Sequence, residues 1–201
     1  MAQKVTLFWF RRDLRLEDNA GLLKALKSEA PVAPIFIFDP TILSKLEDTK
    51  DARVSFLHER LQALKNQLQD LGSDLLVFYD EPLQCMKELM SRFEVTGLYF
   101  NRDYEPYARK RDKVVYDYFE SLNVPCIGAK HHVLFEKNEV VKADGTPYLV
   151  YSPYAKAWKK LCTANHFKAH PTKDYFQSFF KSQDFTKLIS LQEMGFEPTN
   201  I

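Results

Sequence analysis

The chain has 201 residues, 45% of them hydrophobic, with 28 Lys and Arg against 27 Asp and Glu for a net charge of +1. That length is enough for one sizeable core, most simply one domain with a tail. Residues 1 to 150 sum to −2 and residues 151 to 201 to +3, a bias too mild for a nucleic-acid-binding domain, which needs clustered excess charge. Cys85, Cys126 and Cys162 are far apart, without a Cys-x-x-Cys pair or a His at ligand spacing. Neither a zinc site nor a disulfide framework is suggested, and a reducing compartment is expected.

The first element is a mostly apolar run from Val5 to Phe10, the pattern of a parallel strand buried on both faces. It breaks abruptly into Arg11-Arg12-Asp13-Leu14-Arg15-Leu16-Glu17-Asp18-Asn19. Asp18 or Asn19 can cap a helix carrying Leu22, Leu23 and Leu26. In an open α/β sheet, ligands sit beyond the carboxyl ends of the strands, so Arg11, Arg12 and Arg15 are placed to meet an anionic or polar group. A solvated basic loop is the competing expectation.

Further strand-like runs follow at Ala33 to Asp39, Asp74 to Asp80, Gly97 to Asn101 and Pro125 to Ala129, with helical periodicity between them. The alternation implies a doubly wound, five-stranded parallel sheet with helices on both faces. The clearest helix places Val54, Leu57, Leu61, Leu64, Leu68 and Leu71 at three- and four-residue steps and stops at Gly72. Cys85, Met86, Leu89, Met90 and Phe93 suggest a third helix, and Val114, Val115, Tyr118, Phe119 and Leu122 a fourth. Pro82, Pro106 and Pro153 mark short, stiff helix starts.

Beyond the fifth strand the pattern changes. Val133 to Val141 reads as strand-like alternation, Ala143 to Pro147 as a turn, and Tyr151 to Leu161 as a helix with Trp158 on its apolar side. Phe176, Phe179, Phe180 and Phe185 are too many for ordinary disorder and are expected to pack on this domain or on a neighbour.

The six glycines, at 21, 72, 97, 128, 145 and 195, form neither Gly-x-Gly-x-x-Gly nor a Walker loop. Pyrophosphate-type dinucleotide binding is therefore disfavoured, although a crevice of this class can still take a flat ring. His131 and His132 are the only paired histidines, and without a strand-turn-helix context they read as loop or interface residues rather than catalytic ones. Asp103, two residues before the helix at Pro106, is a candidate ligand contact. Glu105 is equally well a helix-start residue and partner of Arg109, and Arg109, Lys110, Arg111 and Lys113 read as a solvated face.

Five ordered stretches give this chain a family resemblance. Arg11 to Asn19 resembles the Arg-Arg-Asp-Leu-Arg-Leu-x-Asp-Asn opening of DNA photolyases and cryptochromes. Phe36 to Pro40 is similar to the end of that family's second strand, and Arg53-x-x-Phe56-Leu57 to the start of its second helix. Asn101 to Asp112 is similar to its fourth strand and following helix, and Gly145 to Trp158 to its stretch after the sheet.

The resemblance implies strand order 3-2-1-4-5 and an amino-terminal α/β domain holding an antenna pigment. Residues 1–130 would form that domain, 131–166 its extension, and 167–201 the start of a connector to a helical FAD-binding domain lying beyond Ile201. The whole protein would be a deoxyribodipyrimidine photolyase, in which excited antenna passes energy to reduced FAD and the flavin splits cyclobutane pyrimidine dimers in DNA. A cryptochrome, or a stand-alone nucleotide- or flavin-binding domain, is the alternative. The family's folate-binding Asn-Glu pair is replaced by Tyr107 and Ala108, so a deazaflavin or FMN antenna is expected rather than methenyltetrahydrofolate. Arg11, Phe36, Ile37, Arg53, Asp103 and Glu105 would bind it, with Arg53 and Asp103 on its polar edge. The domain by itself would be no lyase and would hold no FAD. A patch including Tyr148, Tyr151, Tyr154 and Trp158 would face the helical domain and drive self-association without it. No signal-peptide pattern or 18-residue apolar run exists, which suggests a soluble cytoplasmic protein.

Overall fold

The computed structural model describes residues 2–200; Met1 and Ile201, which bound the units expected above, lie outside the described residues. Five strands, β1 (Gln3–Phe10), β2 (Val32–Phe38), β3 (Leu76–Tyr79), β4 (Phe93–Asn101) and β5 (Cys126–Ala129), form one sheet in the order β3-β2-β1-β4-β5. All four pairings are parallel, as the alternation of strand and helix signals implies. β1 and β2 are buried over nearly all their length because helices cover both faces.

Six helices connect and flank the strands: α1 (Ala20–Leu26), α2 (Pro40–Leu43), α3 (Ala52–Asp70), α4 (Pro82–Arg92), α5 (Pro106–Ser121) and α6 (Tyr151–Leu161). The first three are capped by side chains. Asn19 accepts from Leu22 N at 3.1 Å, Asp39 from Thr41 N at 3.0 Å and Asp51 from Arg53 N at 2.9 Å. α3 closes in a Schellman arrangement, with Gly72 N donating to Gln69 O and Ser73 N to Leu68 O. Gly72 takes φ +72°, a conformation that a side chain would oppose. α4 ends at Arg92, and Phe93, expected in that helix, already opens β4, where it stacks edge-on against Phe180.

Val54, Leu61, Leu64 and Leu68 of α3 enter a core on one face of the sheet with Phe8, Phe10, Phe36 and Phe38. On the other face Val5, Leu7, Trp9 and Ile35 pack with Cys85, Met86 and Leu89 of α4 and Val115 and Phe119 of α5.

Residues 133–141, expected as a strand, form turns instead. Apolar alternation is present, but Glu139 N bonds back to Glu136 O at 2.9 Å and Lys137 takes φ +41°, which breaks an extended ladder. Glu136 is instead held by Arg102 Nη2 at 2.8 Å and by the Tyr104 hydroxyl at 2.6 Å. α6 has the expected bounds, Tyr151–Leu161, so Pro153 sits inside its first turn, where the missing N–H has no intrahelical role.

The last thirty residues wrap around the sheet. Phe179 is fully buried, and Leu188, Leu191, Met194 and Phe196 join the α3-side core. Phe176 and Phe180 are half-buried, whereas Phe185 is 53% exposed. A buried ion pair fastens this segment: Lys65 Nζ lies 2.5 Å from Asp74 Oδ1 and 3.0 Å from Thr186 Oγ1, and Asp74 Oδ2 accepts from Thr186 N at 2.8 Å. Burial pushes the Asp74 carboxyl up, but the bonds from Lys65 and Thr186 outweigh it and hold it below its ordinary range.

Candidate functional site

Beyond the carboxyl ends of β1, β2 and β4 lies a cavity of about 160 Å³. Its walls are Trp9, Phe10, Phe36, Ile37 and Phe38 from the strands, Ile42 and Leu43 from α2, and Leu57 from α3. Arg11, Arg12, Asp39, Asp103 and Arg111 supply the charge. Apolar walls with a few convergent polar groups, at the point where strand order reverses, are what a flat, partly polar ligand requires.

The arginines divide into two kinds. Arg11 is 8% exposed and its Nη1 donates to both oxygens of Asp112, at 2.7 and 2.8 Å, while Nη2 reaches Asn101 O at 2.7 Å. Its guanidinium lies 4.3 Å from the Phe100 ring centroid and 4.9 Å from that of Trp9, and Arg111 lies over Trp9 at 4.8 Å. Burial pulls Arg11 below its ordinary pKa while Asp112 works against that shift. Arg12 is exposed and pairs with Asp103 at 3.0 Å and Glu105 at 2.7 Å. Burial raises the Asp103 carboxyl, but Arg12 and the backbone amides of Tyr104 and Glu105 hold it below its ordinary range. Asp103 therefore presents an ionised acceptor at the cavity rim.

Under this rim a polar network ties β1 to β4. Asp13 accepts from Asn19 Nδ2 at 3.0 Å and from Asn101 Nδ2, and Asn101 Oδ1 accepts from Gly21 N at 2.9 Å. A Cβ at Gly21 would stand 2.7 Å from Asn101 Oδ1 and 3.1 Å from the Phe100 carbonyl carbon, so α1 can approach β4 this closely only through glycine.

Of the expected site residues, Arg11, Phe36, Ile37 and Asp103 meet at the cavity. Glu105 stands just outside it, joined through Arg12 rather than through Arg109. Arg53 is placed apart: its side chain is 77% exposed and paired with Asp51 at 2.5 Å, two residues back. That pair draws the Asp51 carboxyl down to about 2. Arg109, Lys110 and Lys113 are solvated, but Arg111 turns inward. Sequence reasoning missed Trp9, Asp39 and Arg111 as lining residues; for Arg111 and Asp112, standing in the quoted 101–112 stretch was the available signal.

His131 Nε2 accepts from Arg15 Nη2 at 2.8 Å, and its ring lies 6.0 Å, centroid to centroid, from that of His170. Burial first, and then Arg15, lower its pKa, which fits a neutral ring accepting from the guanidinium. Among the described residues, no group of three His, Cys, Asp or Glu is placed to hold a metal ion, and no helix is long and apolar enough to cross a membrane.

A five-stranded parallel sheet with an aromatic-walled cavity beyond its strand ends, lacking a glycine-rich phosphate loop, defines the class: an open, doubly wound α/β domain. The family model for DNA photolyase matches residues 6–174, and the chain belongs to the DNA photolyase family. It is 35% identical over 153 residues to a deoxyribodipyrimidine photo-lyase of Synechococcus, spanning 76% of this chain and 31% of that protein. To the Halobacterium salinarum deoxyribodipyrimidine photo-lyase it is 31% identical over 199 residues, 94% of this chain and 40% of that one. The chain thus spans well under half the length of these two relatives. Cryptochrome-1 of Anopheles gambiae is 33% identical over 160 residues, 74% of this chain and 29% of that protein. Among solved structures, a class III photolyase of Agrobacterium tumefaciens superposes with a TM-score of 0.80 at 26% identity, covering 99% of this chain and 39% of that one. A Sulfolobus tokodaii photolyase, described as carrying two FAD molecules with a novel light-harvesting cofactor implied, gives 0.56 at 34% identity, covering 66% and 30%.

Proposed function

We propose that this domain binds a flavin-like antenna pigment, deazaflavin or FMN in preference to methenyltetrahydrofolate, and serves a light-driven lyase that repairs cyclobutane pyrimidine dimers in DNA. The carrying observation is the cavity itself. Aromatic and aliphatic walls suit a flat tricyclic ring, and Asp103, with Arg12 beside it, offers an acceptor and a donor to the ring's polar edge. The second FAD described for the Sulfolobus relative supports a flavin-class occupant. Tyr107 and Ala108 stand where folate binders of the family carry Asn-Glu, which supports the same choice.

Electron transfer to the lesion belongs to FAD in a helical domain, and the α/β domain alone is inactive. Docking of that domain falls to α6, where every residue is exposed or half-buried although the helix has an apolar side. Leu149, Val150 and Tyr151 are 89, 62 and 79% exposed, and Tyr154 stands beside Tyr148 on the same patch. Contiguous apolar surface of this kind marks an interaction site and favours self-association when uncovered. DNA is engaged through the helical domain, and the working compartment is the cytoplasm.

The test is a titration of the purified domain with FMN, a deazaflavin and methenyltetrahydrofolate. Asp103→Ala is expected to weaken flavin binding by about ten- to a hundredfold, the loss of one charge-assisted hydrogen bond of about 1.5 to 3 kcal/mol. Arg53→Ala is expected to leave it unchanged. Tight folate binding indifferent to Asp103 overturns the proposal.

A further inference from the structure

The cavity is about 160 Å³, below the ~300 Å³ at which ligand pockets ordinarily begin. One wall is built differently from the others. The strands and α3 are anchored in the core, but α2 is a single turn whose one buried side chain is Leu43. Residues 44–51 follow it without regular structure, and all but Leu46 and Asp51 are exposed. Leu46 packs half-buried against the α3-side core, and the next backbone tie to the rest of the fold is at Thr49, whose carbonyl accepts from Glu197 N at 2.8 Å. Few buried contacts and exposed backbone are the marks of a segment that opens locally.

Between its ends the wall is tied across the crevice. The Tyr107 hydroxyl on α5 donates to Asp39 Oδ2 at 2.5 Å, bridging 68 positions in sequence, while Asp39 Oδ1 caps α2 through Thr41 N. Lys45 Nζ lies 5.3 Å from the Tyr107 ring centroid and adds a second tie from the same wall. Burial and the bond to Asp39 raise the pKa of Tyr107, so the hydroxyl keeps its proton and the tie holds at neutral pH. Asp39 and Ile42 line the cavity on one side and Arg111, one turn along α5 from Tyr107, on the other.

We infer that the Tyr107–Asp39 hydrogen bond is a latch that holds α2 over the crevice, and that a ring-sized ligand enters only when it opens. Tyr107 is a gating residue that sets ligand size and entry rate. The inference rests on the proposed ligand site, but its first readout needs no ligand.

Tyr107→Phe removes the hydroxyl and leaves the ring for Lys45 to cover. Amide hydrogen exchange over residues 40–46 should quicken by about tenfold in the variant, the worth of one hydrogen bond to a charged acceptor, with exchange in β1 and β4 unchanged. FMN, used as the probe, should bind the variant about tenfold more tightly and mainly through faster association, because binding no longer has to break the latch. Unchanged exchange over 40–46 overturns the latch whether or not FMN binds. Faster exchange with weaker FMN binding also overturns it, since Tyr107 would then be shaping the ligand-competent wall. Faster exchange with no FMN binding to either protein upholds the latch and defeats the flavin reading alone.

Discussion

The Arg11–Asn19 turn and α6 are both rich in residues that invite a functional reading, and they have opposite physical states. In the turn, Arg11, Asp13 and Asn19 are buried and each is held by partners from elsewhere in the fold, Asp112 and Asn101 above all. In α6, Tyr151 and Tyr154 stand in solvent beside Leu149. The Arg11–Asn19 motif is thus mainly architecture: it fixes the position of the crevice and leaves the exposed Arg12, paired with Asp103 and Glu105, at its rim. The helix has little architectural duty and a face suited to a partner.

The sharpest way to break this contrast is Asp112→Ala. It would strand the Arg11 guanidinium in a buried site, and removing one member of a buried pair costs about 3 to 5 kcal/mol. Chemical denaturation of the variant measures it, and a loss under ~1 kcal/mol, the range of an exposed pair, would mean that the turn is not structural. Gly21→Ala is the next largest, at about 1 to 3 kcal/mol for overpacking against Asn101 and Phe100, with the expected signature of a lower thermal midpoint.

Acidification sharpens the same contrast with a smaller effect. The folded state holds the pKa of His131 below its ordinary value. Its contribution is therefore complete above the unfolded pKa of about 6.5 and is lost as pH falls through the lower, folded value. Stability measured from pH 7.5 to pH 5 should fall more steeply in the parent protein than in His131→Gln; parallel curves would contradict the assignment. The smallest stability effect belongs to α6, where Tyr151→Ser should change unfolding free energy by less than about 0.5 kcal/mol. The same substitution should reduce concentration-dependent association in sedimentation. A large destabilisation there would show that α6 is part of the core.

The strand-helix alternation, the α3 stripe and the helix starts at Pro82 and Pro106 were legible because each follows from local periodicity or from a residue whose backbone restricts its place, whereas the strand order came from the family resemblance. The site was half legible. Phe36 and Ile37 were named on the family resemblance, and Asp103 also on its place two residues before the helix at Pro106. Arg53, named on the same resemblance, lies one residue into α3, where its exposed guanidinium pairs with the cap Asp51. The pairing of Arg11 with Asp112 and the tie of Tyr107 to Asp39 span 101 and 68 positions, so they arise only when the sheet brings α5 beside β1 and β2. The 133–141 segment failed for a related reason. Its alternation was real, but Glu136 and Glu139 found side-chain and turn partners that an added strand would have forfeited.

The central claim, a flavin-class ring against the strand ends, is tested most directly through Trp9, a cavity wall and one of two tryptophans in the chain. With Trp158→Phe to silence the other, fluorescence reports on the crevice alone. Titration with FMN should quench Trp9 saturably, with deazaflavin competing and Asp103→Ala shifting the midpoint upward. Quenching by methenyltetrahydrofolate at lower concentration than by FMN, or no quenching by either flavin, would contradict the account.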